Sequence, residues 1–132
     1  MERNALISII LDQQQTFKNK KFIPRLQGKN FFADNEIVVI SGIRRCGKST
    51  LLQEIRANTK EKDFFLNFDD ERLIHFGLND FQLLYEIFIE LYGKQNTLYF
   101  DEIQNIKGWE RFVRRMYDQG NKIYITGSNA SM

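Results

Sequence analysis

The sequence is poor in cysteine, proline and histidine, with one of each, and each scarcity is informative. The lone cysteine, Cys46, cannot close an internal disulfide, and such a composition fits a reducing cytoplasm. The lone histidine, His75, has no cysteine or histidine companions, so the ligand set of a zinc site is missing. The one proline, Pro24, lies in "KNKKFIPRLQGKN", a basic, turn-rich stretch that reads as a connector over the surface of the main domain. No apolar run approaches the ~18 residues needed to cross a bilayer. The opening "MERNALISIILDQQQ" carries an acid and a base first, then glutamines where a secretory signal needs small cleavage-site residues. Charge of one sign is also lacking. A net charge of +2 is too small to argue by itself for a nucleic acid or an anionic membrane. Together these absences point to a soluble cytoplasmic protein with no membrane partner.

What is present suits a folded domain. The 132 residues fit one domain with a modest core, and 42% apolar with 27% charged residues is ordinary for a globular chain. Aromatics make up 14%, and twelve are phenylalanine, so the core should be filled with large rings. Leu6, Ile9, Ile10 and the segment from Gln13 to Phe17 read as an amphipathic helix with Asn4 as its N-cap. From Glu36 onward, four short apolar runs appear: "IVVI" (37–40), "FFLNF" (64–68), "TLYF" (97–100) and "IYIT" (123–126). None alternates with period two, as expected of parallel strands buried on both faces. Helical patterns lie between them: Leu51, Leu52 and Ile55; then Phe81, Leu84, Tyr85, Phe88 and Leu91; then Trp109, Phe112, Val113, Met116 and Tyr117. The alternation predicts an α/β fold, a parallel sheet between helical layers. Residues 1–30 are expected to form an N-terminal helix and basic connector, and residues 31–132 the core.

Within "SGIRRCGKST" (41–50) stands the pattern G-x-x-x-x-G-K-S, from Gly42 through Gly47 and Lys48 to Ser49. A strand before it and a helix after it supply the setting that this phosphate-cradling pattern requires. Gly42 and Gly47 permit backbone conformations that turn successive N–H groups toward phosphate oxygens, and the helix N-terminus adds positive potential there. The expected nucleotide contacts run from Gly42 through Ile43, Arg44, Arg45, Cys46, Gly47, Lys48 and Ser49 to Thr50. Lys48 would reach the terminal phosphates, and the Ser49 hydroxyl would sit on Mg²⁺. Arg44 and Arg45 would add to phosphate attraction, with Cys46 as a small space-filler.

"TLYFDEIQ" ends a second candidate strand in two carboxylates, Asp101 and Glu102. Parallel strands bring their C-termini to the ligand edge, where the phosphate loop also lies. Asp101 would hold the Mg²⁺ shell, and Glu102 would orient and deprotonate an attacking water. The chain lacks the glycine of a GTPase Asp-x-x-Gly, and the only Asn-Lys pair, Asn121 and Lys122, continues to Ile123 and Tyr124. Small-molecule kinases, whose acceptor is not water, typically lack the second carboxylate. The reading is ATP hydrolysis, with ATP or ADP and Mg²⁺ bound.

At this point the chain resembles the AAA+ branch of P-loop ATPases, and within it prokaryotic ATPases whose core precedes a separate C-terminal domain. "GIRRCGKSTLL", "NFDDERL", "LYFDEIQNIKGWERFVRRMYDQG" and "IYITGSNASM" carry the resemblance, from about Ile37 to the last residue. It implies a three-layer P-loop NTPase core (ASCE/AAA+-like) with the "IYIT" strand inserted between the phosphate-loop strand and the acidic strand. It also implies a polar residue, Ser128 or Asn129, that touches the γ-phosphate or the attacking water. Family members usually continue through a fifth strand and supply an arginine in trans to a neighbour. The chain therefore reads as the N-terminal part of a longer protein or as a naturally truncated relative. Weak turnover is expected of it alone. The phosphate-loop strand becomes an exposed edge, and self-association is expected through that edge or the nucleotide face.

Other readings attach to weaker signals. A regulatory switch or scaffold would bind nucleotide without useful turnover. A nucleic-acid-binding module would use Arg111, Arg114 and Arg115 on the last helix, or the group Lys18, Lys20, Lys21, Arg25 and Lys29. A solvated face is the default reading of the first group, and a solvated connector that of the second. Asp69 and Asp70, after the second strand, would tie down a loop or bind a partner.

Overall fold

The computed structural model describes residues 1–19, 36–41 and 47–127. The four apolar runs form strands β1 (Ile37–Ser41), β2 (Phe65–Asn67), β3 (Thr97–Asp101) and β4 (Lys122–Gly127). They pair in parallel in the order β1-β4-β3-β2. β4 therefore lies between β1 and β3, as the resemblance implied. Every residue of β3 and β4 is buried, which explains their unbroken apolar character. β1 is an edge, and Val39 on it is 49% exposed.

Four helices cover this sheet: α1 (Arg3–Asn19), α2 (Lys48–Ala57), α3 (Phe81–Tyr92) and α4 (Trp109–Asp118). Strand alternation sorts them into layers. Leu98, Phe100, Ile123 and Ile125 point to the side where the apolar faces of α1, α3 and α4 pack. Tyr99 and Tyr124 point the other way with Phe65, against Leu52 and Ile55 of α2. The phenylalanines build the larger core as expected. Phe81 stacks on Phe112 at 4.5 Å between ring centroids and meets Phe76 edge-on at 5.1 Å. On α4, Phe112, Val113 and Met116 are buried, whereas Arg111, Arg114 and Arg115 are exposed.

One local expectation is corrected. α1 begins at Arg3, so Asn4 lies inside the helix and is not its N-cap. The Glu2 carboxylate accepts from the Asn4 backbone N–H at 3.0 Å and supplies the acceptor that Asn4 was expected to provide.

α1 also closes the β2 edge. The Gln13 amide donates to the Asn67 carbonyl at 3.1 Å and accepts from the Asn67 N–H at 2.8 Å, replacing one residue of a neighbouring strand. Its neighbour Gln14 accepts from Arg56 at 2.8 Å. Arg56 is fully buried, with its guanidinium 3.9 Å from the Phe17 ring centroid and 4.1 Å from that of Phe65. It donates to the Lys62 carbonyl from both Nε and Nη2. Burial lowers its pKa to about 10, so the group keeps its charge at neutral pH. This cation fastens α1 to α2 and β2.

Candidate functional site

The alternation that sorts the helices also builds the site. Tyr99 and Tyr124 face α2 and stack at 5.1 Å. Two residues further along each strand, Asp101 and Thr126 face the same side. The register pairs Phe100 with Ile125, which brings Asp101 and Thr126 together at the C-terminal ends of β3 and β4. α2 starts on this side as well, at Lys48. Gly47 precedes it with φ +87°, a left-handed conformation that a side chain would strain, and its carbonyl accepts the first helical bond from Leu51 at 2.9 Å.

The side chains meet through a compact set of hydrogen bonds. Ser49 Oγ donates to Asp101 Oδ1 at 3.1 Å. Thr126 Oγ1 donates to the same oxygen and accepts from the Glu102 backbone N–H at 2.9 Å. Lys48 Nζ lies 3.3 Å from Glu102 Oε2 in a buried ion pair. Gln104 Nε2 donates to Glu102 Oε1 at 2.7 Å. Glu102 has φ 55° and ψ 45°, the one non-glycine residue with positive φ among the described residues. Such a conformation costs a bulky residue about 1–2 kcal/mol and is kept where surrounding contacts over-determine it. A short 3-10 turn, Ile103–Asn105, follows, and Asn105 Nδ2 ties it to the Phe68 carbonyl at 3.1 Å.

Asp101 is 3% exposed, and burial raises its carboxyl pKa above the ordinary value. Nearby Glu102 pushes in the same direction, while the hydroxyls of Thr126 and Ser49 and the charge of Lys48 oppose it. A buried carboxylate beside a hydroxyl is a hard-oxygen donor set. It suits Mg²⁺, which takes one or two protein oxygens and completes its shell with phosphates and water. Among the described residues no group of three or more His, Cys, Asp or Glu forms an all-protein metal cage. The residues present therefore fit a phosphate-bound Mg²⁺. Beside Ser49 and Asp101 opens a cavity of about 450 Å³, walled by Thr16, Phe17, Thr50, Gln53, Phe65 and Asn67.

Of the residues singled out in the sequence, Lys48, Ser49, Asp101 and Glu102 come together here. Thr50 is exposed on the first turn of α2 and lines the cavity. Gly42, Ile43, Arg44, Arg45, Cys46, Ser128 and Asn129 lie outside the described residues, as do Lys20, Lys21, Arg25 and Lys29. Arg111, Arg114 and Arg115 sit on the exposed face of α4, on the opposite side of the sheet from α2. Asp70 ties down the loop after β2: it caps a 3-10 turn at Glu71–Leu73 and pairs with Arg72 at 2.7 Å. His75 is exposed. Thr126 and Gln104 were not anticipated. Thr126 stands two residues after Tyr124, hence on the α2 side of β4, but only the pairing of β3 with β4 sets it beside Asp101. Gln104 gave no signal, because its contact depends on the backbone turn at Glu102. No helix among the described residues is long and apolar enough to cross a membrane.

Comparison with known proteins gives a consistent result. A family model described as an AAA domain matches residues 34–132. Over 126 residues the chain is 40% identical to the uncharacterized protein MJ1544 of Methanocaldococcus jannaschii, an alignment covering 94% of this chain and 28% of that protein. Over 112 residues it is 37% identical to an uncharacterized protein of Haemophilus influenzae, covering 76% of this chain and 28% of the relative. A third relative, the uncharacterized protein MJ1637 of Methanocaldococcus jannaschii, is 33% identical over 108 residues, 72% of this chain and 22% of its own. The chain thus spans roughly a quarter of the length of the curated relatives it matches. No solved structure matches it.

Proposed function

The chain belongs to the AAA domain family, and from that premise we propose that it binds ATP or ADP with Mg²⁺ and hydrolyses ATP with Glu102 as the general base. The observation that carries this reading is the convergence of Lys48, Ser49, Asp101 and Glu102 at the C-terminal edge of a parallel sheet.

In this reading the terminal phosphates compete with Glu102 for Lys48. The ammonium moves to the phosphates, and Glu102 Oε2 accepts a proton. Ser49 and Asp101 would hold the metal, which when bound would withdraw charge from the phosphate oxygens. Glu102 takes a proton from water as the water oxygen bonds to the γ-phosphorus. The bond to the bridging oxygen breaks, its electron pair leaves with ADP, and inorganic phosphate is the second product. Burial of the site strengthens each of these electrostatic contacts. The resemblance assigns contact with the γ-phosphate or the water to Ser128 or Asn129, which lie outside the described residues.

Calorimetry tests the binding half. ATP or ADP with Mg²⁺ should stabilise the chain, and Lys48→Ala should abolish the effect. No heat at millimolar ATP with a folded sample would sink the proposal. The hydrolytic half turns on Glu102→Gln, expected to retain ATP and stop phosphate release. A nucleotide switch without turnover, the competing reading, would be indifferent to that substitution.

A further inference from the structure

We propose that Gln104 is a positioning residue for Glu102, fixing one carboxylate oxygen so that the other receives the proton of the attacking water. This role rests on the ATPase reading above.

The two oxygens of Glu102 have different partners. Oε2 faces Lys48, and Oε1 accepts from Gln104 Nε2 at 2.7 Å, a short distance for an N–H donor and typical of a charge-assisted bond. Phosphates attract the charged Lys48 away from Oε2 far more strongly than they attract the uncharged Gln104 amide away from Oε1. The bond from Gln104 therefore persists when nucleotide binds and keeps the carboxylate from swinging. The left-handed turn at Glu102 brings these near neighbours together, and the Thr126 hydroxyl holds that turn through the Glu102 N–H. The pair is thus built into the backbone and does not depend on a flexible loop.

The amide orientation is fixed by chemistry. Turned over, Gln104 would set its oxygen against a carboxylate oxygen, which repels, so the N–H side must face Glu102. The amide oxygen then points away. It is buried, and no described residue donates to it. An acceptor left in that condition costs stability, and such atoms in folded proteins call for an explanation. Here that cost follows from presenting the N–H side to Glu102.

The substitutions Gln104→Ala and Gln104→Glu separate positioning from packing. Loss of a hydrogen bond to a charged group should lower kcat about ten- to a hundredfold with KM for ATP unchanged in Gln104→Ala. Gln104→Glu keeps the shape but replaces the donor with a second carboxylate, so it should be slower still. A purely structural role predicts the reverse order, with the isostere milder than alanine. A second measurement does not need turnover: hydrogen exchange of the Gln104 side-chain amide by NMR, with a non-hydrolysable ATP analogue and Mg²⁺. The amide should remain protected in the complex and lose protection in Glu102→Ala. Exchange at the rate of a free glutamine in the complex, or wild-type kcat in Gln104→Glu, overturns the role of Gln104 alone. Failure of the wild-type chain to bind the analogue overturns the ATPase reading, and this role with it.

Discussion

Thr126 uses a single hydroxyl to hold both members of the acidic pair, donating to Asp101 and accepting from the backbone of Glu102. The residue is fully buried, so neither bond is exchanged for water. Thr126→Val preserves the shape but removes both contacts. We expect a loss of about 1–3 kcal/mol in denaturant unfolding, with Thr126→Ser recovering most of it. Equal losses in the two variants would point to packing of the methyl group. The acidic pair itself was legible in "FDE", because charge directly after an apolar strand is conspicuous. Thr126 was not. A threonine at a strand end is ordinary, and only the pairing of β3 with β4 turns it into a hydrogen-bond partner.

At the scale of elements, α1 solves the problem of an exposed sheet edge on the β2 side. The stripe of Leu6, Ile9 and Ile10 announced a helix that packs on a core, and these residues do enter the larger cluster. The glutamines beyond them carried no such announcement, since a polar run at the end of a helix ordinarily faces water. Their partners, Asn67 for Gln13 and Arg56 for Gln14, lie 54 and 42 residues away. Gln13→Ala strips both backbone partners from Asn67. It should cost about 1–3 kcal/mol and speed exchange of the Asn67 amide while that of β3 stays slow. Uniform acceleration across the sheet would mean instead that α1 acts only through its apolar stripe.

For the molecule as a whole, acid should loosen the same junction. Arg72 bridges Asp12 on α1 and Asp70 after β2. Its hydrogen bonds, aided by Gln13, hold the Asp70 carboxyl at about 2, below its ordinary value of 3.8. The folded pKa lies below the unfolded one, so the stabilisation is complete above about pH 4 and is lost as the pH falls toward 2. Asp101 acts in the opposite sense: its pKa is raised by burial, so protonation relieves the folded state. Unfolding measured from pH 6 to pH 2 should therefore show a wild-type advantage over Asp70→Asn that disappears near pH 2. A difference independent of pH would remove ionisation of Asp70 as its cause.

The sequence by itself determined the alternation of strands and helices, the placing of Lys48 and Ser49 at the start of α2, and the carboxylates at the end of β3. Each of these is written in contiguous residues, where hydrophobic period, turn chemistry and charge act over a few positions. The place of β4 between β1 and β3 was implied by the family resemblance, whereas tertiary structure alone decided that Gln13 closes the far edge and that Thr126 and Gln104 reach the acidic pair. These depend on strand register and on one left-handed residue. Hydrogen bonds act only within about 3 Å, so a partner remote in sequence stays invisible until the backbone brings it there.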